Sequence, residues 1–298
     1  MIFIQFVMIV TMMITLPFSH SDSCTLWGSL GSLNKKDETL IAKNRDWKPD
    51  HIQIVKIAKP KSGYDYLGLY AEGNDEPGMK AGINQRGLVI VSASASSLPK
   101  KERKESTHKN GLMKKILSTY DRVDDILKHQ KMFSQTRPLF YMMADKNKMI
   151  YIEVGLNGEY SITEQTHGVL YHTNHYLNND LSSFNKIVGE SSLKRFERIK
   201  YLLTHSPVGL SFDEFINMSK DQNDGPHNSI FRTGKSQQDE RTLATWIVSI
   251  PKNDGPMIYI KLRNPGESEK EFKSKIDDTF WRKNGLQTYP IFQESPER

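Results

Sequence analysis

The 298-residue chain contains a single cysteine, and its position gives it a chemical meaning. Residues 2–18, IFIQFVMIVTMMITLPF, carry no charge and are followed by SHSDS and then Cys24. An apolar run ending in small residues, with Ser21 and Ser23 just ahead of the cysteine, reads as a secretory signal cut before Cys24. Residues 1–23 are thus expected to be removed, and the mature chain is expected to be exported (periplasmic or secreted) and to begin with a thiol. A residue carrying both a thiol and a free α-amine can act as nucleophile and base together, because an amine with a pKa of about 7.7–8 exchanges protons at neutral pH. Three other fates stay open: the apolar run kept as a membrane anchor, a lipid attached to Cys24, or a buried cysteine acting as a small hydrophobe.

An N-terminal nucleophile needs a group that orients its amine and donors for the oxyanion that forms. Residues 24–31, CTLWGSLG, and 39–47, TLIAKNRDW, read as strands joined by the polar segment SLNKKDE. A turn centred near Lys35 sets Asp46 opposite Cys24. Directly opposed residues share a face, with Cβ atoms about 5 Å apart, so Asp46 is placed to hold the amine or the thiol. A slip of one residue would put Arg45 or Trp47 there instead.

CTLWGS at the expected terminus, AKNRDW, AGINQRGLVIVSASAS (81–96), HTNH (172–175) and SSLKRFERIKYLL (191–203) occur in an order that resembles the cysteine-type N-terminal nucleophile hydrolases. The resemblance is closest to the family of choloylglycine hydrolase, penicillin V acylase, acid ceramidase and the penicillin acyltransferases. It implies an α+β fold, a four-layer αββα sandwich of two antiparallel sheets between helices, as one domain over residues 24–298. It implies an amidohydrolase that cleaves a linear N-acyl amide through a thioester, with acyl transfer to an amine as the alternative and no cofactor. By the same resemblance Cys24 is nucleophile and base, Asp46 positions its amine, and the Asn174 side chain donates to the oxyanion. Arg198 matches the helix arginine that supports the Cys–Asp cluster, and Arg195 its neighbour in the pattern. Two positions depart: Lys43 stands where relatives carry an arginine three residues before the Asp, and Ser94 where they carry an asparagine. Lys43 keeps the charge without the guanidinium fork, and Ser94 still offers its backbone N–H. From outside the enzymes, the rival is a lipid-anchored or membrane-tethered binding protein.

The elements that must position these residues are mixed α and β. Strands are expected over 51–59, 87–94, 139–145, 148–155, 160–165, 168–174, 242–250 and 256–263, with hairpin turns at DKNK (145–148) and NDG (253–255). Helices are expected over 110–119, 121–130, 191–203 and 211–220. In the third, Leu193, Phe196, Ile199 and Leu203 recur at helical spacing and define a core face, while Arg195 and Arg198 neighbour each other on its surface. The basic stretch 99–115 reads as a solvated loop, with contact to an acidic membrane surface or an anionic substrate as the alternative. Residues from about 264 read as a peripheral tail. A formal charge of +6 does not argue for nucleic acid as a partner; the partner that the resemblance implies is a small-molecule N-acyl amide. One cysteine excludes an intrachain disulfide and a multi-cysteine zinc site, and His172 and His175, three apart on a strand, point to opposite faces, so no metal is expected.

Overall fold

The computed structural model describes residues 23–105, 111–206 and 209–284. Residues 1–22 of the expected signal segment lie outside these residues, as do 106–110 of the basic stretch and the chain after 284. In chain order the elements are β1 (Cys24–Leu30), β2 (Glu38–Trp47), β3 (Ile52–Ala58), β4 (Tyr66–Glu72), β5 (Gly78–Asn84) and β6 (Val89–Ser94), then α1 (Lys100–Glu105), α2 (Leu112–Thr119) and α3 (Val123–Lys128). There follow β7 (Leu139–Ala144), β8 (Met149–Val154), β9 (Tyr160–Gln165) and β10 (Gly168–His172), then α4 (Glu190–Thr204), α5 (Phe212–Met218) and α6 (Gly225–Asn228). β11 (Arg241–Pro251), β12 (Met257–Leu262), β13 (Lys270–Lys275) and α7 (Asp278–Asn284) complete the described chain.

The strands form two antiparallel sheets, ordered β10-β1-β2-β11-β12-β13 and β3-β4-β5-β6-β7-β8-β9. Strand alternation sorts the apolar residues between layers. Leu26, Leu30 and Ile41 of the first sheet meet Val89, Val91, Phe140 and Met142 of the second in the central core. On the outer face of the first sheet Trp27, Leu40 and Ala42 pack with Ile199, Leu203 and Phe215 of α4 and α5. On the outer face of the second, Ile90, Met143 and Ile152 pack with Ile116, Leu117 and Ile126 of α2 and α3. Helices cover both outer faces, and the result is the expected αββα sandwich. Gly28 permits the close approach of the sheets under β1, since a Cβ there would lie 2.6 Å from Met149 Sδ and 2.8 Å from the Leu40 carbonyl. No helix among the described residues is long and apolar enough to cross a membrane.

The tail and the basic stretch are among the segments that differ from expectation. The segment read as a peripheral tail supplies the edge strand β13, paired with β12, and Ile276, Phe280 and Trp281 are buried in the central core. The alternating charges of KEFKSK hid this strand. They suit an edge that faces water on one side. The basic stretch is in part helical: in α1, Lys100 and Lys104 pair with Asp75, and Arg103 is buried against Glu76.

Candidate active site

β2 is buried along its whole length, yet it carries Lys43, Asn44, Arg45 and Asp46 in succession. Charged residues are rarely buried without a reason. Cross-strand pairing sorts them: Leu26 opposes Lys43, Thr25 opposes Asn44, and Cys24 opposes Arg45. Lys43 and Arg45 therefore share the face of Cys24, and Asp46 takes the other. The register expected from the sequence is off by one, and Arg45, not Asp46, stands opposite Cys24. The cause is the turn, whose centre falls between Asn34 and Lys35. Asn34 fixes it by accepting from Ser29 Oγ at 2.5 Å and donating to the carbonyls of Ser29 and Glu38. Asp46 still adjoins the cysteine through the backbone, its N–H donating to the Ser23 carbonyl at 3.0 Å. Its carboxylate takes a hydrogen bond from Thr242 Oγ1 at 2.7 Å and has Arg232 Nη1 at 4.0 Å. Burial pushes the Asp46 carboxyl up, against the pull of Arg232 and Arg195.

On the cleft face, Lys43 Nζ lies 3.3 Å from Cys24 Sγ and donates to the Ser92 carbonyl across the sheet interface. Burial pushes the Lys43 ammonium down, more than the cysteine beside it raises it. Arg45 lies over the Trp47 ring at 4.8 Å and places Nη2 2.9 Å from His51 Nδ1. Burial and Arg45 hold His51 at about 4, so it is neutral and its Nδ1 accepts. Cys24, Lys43, Arg45 and Trp47 floor a cleft of about 510 Å³ whose walls include Met79, Met113, Leu139 and Tyr141 together with Lys80, Lys114 and Arg137. The one acid among its described lining residues, Glu76, is committed to Arg103 at 3.1 Å and Arg137 at 3.3 Å. Burial, and then repulsion from Arg45, lowers Lys80 to about 7.

On the helix face, Arg195 is fully buried and converges on the cysteine backbone. Its Nη1 donates to the Cys24 carbonyl at 2.7 Å and to Thr25 Oγ1 at 2.9 Å, and its Nη2 donates to Asn174 Oδ1 at 3.0 Å. Burial lowers it to about 10, which leaves it charged at neutral pH. Asn174 Oδ1 also accepts the Cys24 N–H at 3.0 Å, and its Nδ2 donates to the Ser94 carbonyl at 2.9 Å. Two donors on one side and a carbonyl on the other fix which way this amide points. Ser94 thus enters the cluster through its carbonyl. Arg198 does not enter it: it forms a bidentate pair with Asp221, Nη2–Oδ2 2.6 Å, on the far side of α4. The buried stripe of α4 runs Ser192, Arg195, Ile199, Leu203, which faces Arg195 inward and leaves Leu193, expected in the core, 47% exposed.

The sequence model of the acyl-coenzyme A:6-aminopenicillanic acid acyl-transferase family matches residues 33–267. The chain belongs to this family. The matched segment includes Lys43, Asp46, Asn174 and Arg195 and begins after Cys24. Among solved structures, a cysteine-to-alanine mutant of the conjugated bile acid hydrolase from Clostridium perfringens is similar, with 12% identity, a TM-score of 0.51, and coverage of 85% of this chain and 98% of that one. An arginine-to-leucine variant of the same hydrolase gives 14% identity and a TM-score of 0.47, with the same coverages. At 12% identity the first of these likenesses is one of fold, the αββα sandwich. No curated protein matches the chain. The family makes this chain an enzyme of the acyl-transferring class.

Several residues of this candidate site were not singled out by the sequence analysis. Ser192 accepts the Asn174 N–H at 3.0 Å and contacts Thr173 Oγ1 and His175 Nδ1 at 2.9 Å, so it fixes the loop that presents Asn174. It is the serine of the Ser-x-x-Arg-Phe pattern, three residues before Arg195, which is where a signal existed. Thr25, Thr242 and Arg232 are distant in sequence and meet only in the fold. Among the described residues no group of His, Cys, Asp or Glu is arranged to hold a metal ion.

Proposed function

We propose that the chain is an amidohydrolase that opens a linear N-acyl amide with Cys24 as nucleophile, after export and cleavage of the Ser23–Cys24 bond. The observation that carries this reading is convergence on one residue: Lys43 at Sγ, Asn174 at the nitrogen and Arg195 at the carbonyl of Cys24, at the floor of a cleft. Sγ attacks the acyl carbonyl. The oxyanion is held by the second Nδ2 hydrogen of Asn174, whose first goes to Ser94. Once freed, the Cys24 amine becomes an ammonium beside Asn174 Oδ1 and close to the Asp46 backbone. It passes a proton to the leaving nitrogen and later takes one from the water that hydrolyses the thioester. Asp46 and Asn174 hold that amine in place, and Arg195 fixes the backbone that carries it. The cationic cleft walls favour a substrate with an anionic group near the amide.

The family match favours a second reading for the last step, in which an amine replaces water and the acyl group is transferred. Products formed with and without added amine separate the two. The nucleophile is tested by purified protein whose mass corresponds to a chain starting at Cys24. Such protein should release amine from N-acyl amides and form a thioester adduct on Cys24. Cys24→Ser should lower turnover on the order of 10³-fold or more. Full activity in that variant, or active protein that retains residues 1–23, would refute the mechanism.

A further inference from the structure

We propose that Lys43 takes the proton of the Cys24 thiol and forms a thiolate–ammonium pair with it, leaving the α-amine of Cys24 to serve the leaving nitrogen. The inference deepens the reading of Cys24 as nucleophile and rests on it. The two amines stand on different sides of the reacting residue. The Cys24 nitrogen is engaged by Asn174 Oδ1, whereas Sγ lies on the cleft face with Lys43 Nζ at 3.3 Å. Lys43 is 1% exposed, and among the described residues it makes no ion pair with a carboxylate. Asp46, the nearest acid in the strand, turns its side chain to the opposite face, against Thr242. The Ser92 carbonyl accepts from Nζ and holds it in place, so a neutral Lys43 presents its lone pair to the thiol hydrogen. Burial pushes Lys43 down, towards the range where an amine takes and returns a proton. An arginine could supply charge here but could not accept a proton at neutral pH.

The protons balance over a full turnover. The S–H bond breaks and its proton moves to Nζ. The thiolate then forms the C–S bond and the carbonyl becomes an oxyanion. On collapse the C–N bond breaks and the leaving nitrogen takes a proton from the α-ammonium. Water attacks the thioester and gives one proton to the α-amine. The C–S bond breaks and the thiolate returns to the Lys43 ammonium, while the acid product releases the remaining proton to solvent.

The test reads the thiol directly, as the rate of Cys24 alkylation by iodoacetamide from pH 6 to 10. It compares the mature enzyme with Lys43→Gln, which keeps a donor for the Ser92 carbonyl and cannot take a proton. A free thiol, with a pKa of about 8.5, is only about one-thirtieth ionised at pH 7. Alkylation in Lys43→Gln should therefore fall tenfold to thirtyfold at pH 7, and the deficit should close as the pH approaches 10. If the variant stays within twofold of wild type at every pH, the proposal fails. If the deficit is the same at every pH, Lys43 governs access and not protonation, and the proposal fails as well. Should Lys43→Gln lose its folded circular-dichroism signal, Lys43→Met is measured in the same way. The outcome is separable from that of the assigned reaction: alkylation that depends on Lys43 with no amide turned over keeps the pair and removes the reaction, and the converse keeps the nucleophile and removes the proton route.

Discussion

Two buried carboxylates in this fold have opposite surroundings. Glu153 on β8 is met by donors at both oxygens: His172 Nε2 at 3.0 Å and the Leu177 N–H at 2.6 Å on Oε1, the Asn178 N–H at 2.9 Å and Ser161 Oγ at 3.2 Å on Oε2. Burial alone would raise its carboxyl, but His172 and the two backbone N–H groups hold it below the usual range. Asp46 has Thr242 on Oδ1, while Oδ2 is buried without a hydrogen bond among the described residues, and its carboxyl is pushed up by burial. A fully bonded buried acid belongs to the scaffold. One left short of donors sits where another donor is expected, and in the proposed mechanism that donor is the ammonium of processed Cys24.

The sharpest way to break this comparison is to neutralise each acid in turn. Asp46→Asn should lower turnover roughly 10- to 100-fold, the size of a hydrogen bond to a charged group. Because the folded Asp46 pKa lies above its unfolded value, the ionised group lowers stability as pH rises past the unfolded value. Asp46→Asn should thus unfold at equal or higher denaturant than wild type at pH 7. Glu153→Gln should do the reverse, losing about 1–3 kcal/mol at pH 7 and leaving turnover within a fewfold. The folded Glu153 pKa is depressed, so its contribution is present above the unfolded value and fades as pH falls through the folded one. The stability gap between wild type and Glu153→Gln should therefore narrow in acid. Urea midpoints at pH 7 and pH 3.5, with turnover at pH 7, check all of this. Equal effects of the two variants on activity would erase the distinction.

The cleft offers a smaller effect of the same kind. Lys80 donates to the Glu76 carbonyl at 2.7 Å and makes no ion pair with a carboxylate among the described residues. With its value lowered to about 7, it carries charge below that pH and loses it above. For an N-acyl substrate bearing a carboxylate, KM should rise about threefold to tenfold between pH 6 and pH 8.5. A neutral analogue should show no such rise, and Lys80→Met should flatten it. Parallel pH profiles in wild type and variant would remove Lys80 from substrate recognition.

How much of this was legible in the sequence depended on range. Strands read from runs such as LFYMMAD and TLATWIVSI, and helices read from periodicity, fall within a residue or two of β7, β11, α2 and α4. β4 was missed because YLGLYAE is broken by Gly68, and β13 because its edge position tolerates charge. The site residues were named together by the resemblance, but their geometry was not legible. Whether Asp46 or Arg45 opposes Cys24 depends on the parity of one loop, which Asn34 fixes through contacts that no pattern announces. Whether Arg195 or Arg198 faces the sheet depends on how α4 is rotated. The apolar periodicity pointed to Leu193, but the inward stripe is polar at Ser192 and Arg195 because there the helix meets the site and not the core.

That rotation yields the smallest predicted effect on turnover. Arg198 and Asp221 form a well-aligned pair at the edge of the helix layer, with 22% and 12% of their side chains exposed. The pair is partly buried and bidentate, and its removal costs about 1–2 kcal/mol. Arg198→Ala should accordingly lower the urea midpoint and leave turnover within about twofold. Arg195→Met, which removes three hydrogen bonds around Cys24 and leaves Asn174 Oδ1 without its second donor, should lower turnover far more. The measurement is kcat for both variants on one N-acyl amide. If Arg198→Ala were the more damaging change, the helix would present its other face to the nucleophile, and the assignment of Arg195 to the Cys24 backbone would be wrong.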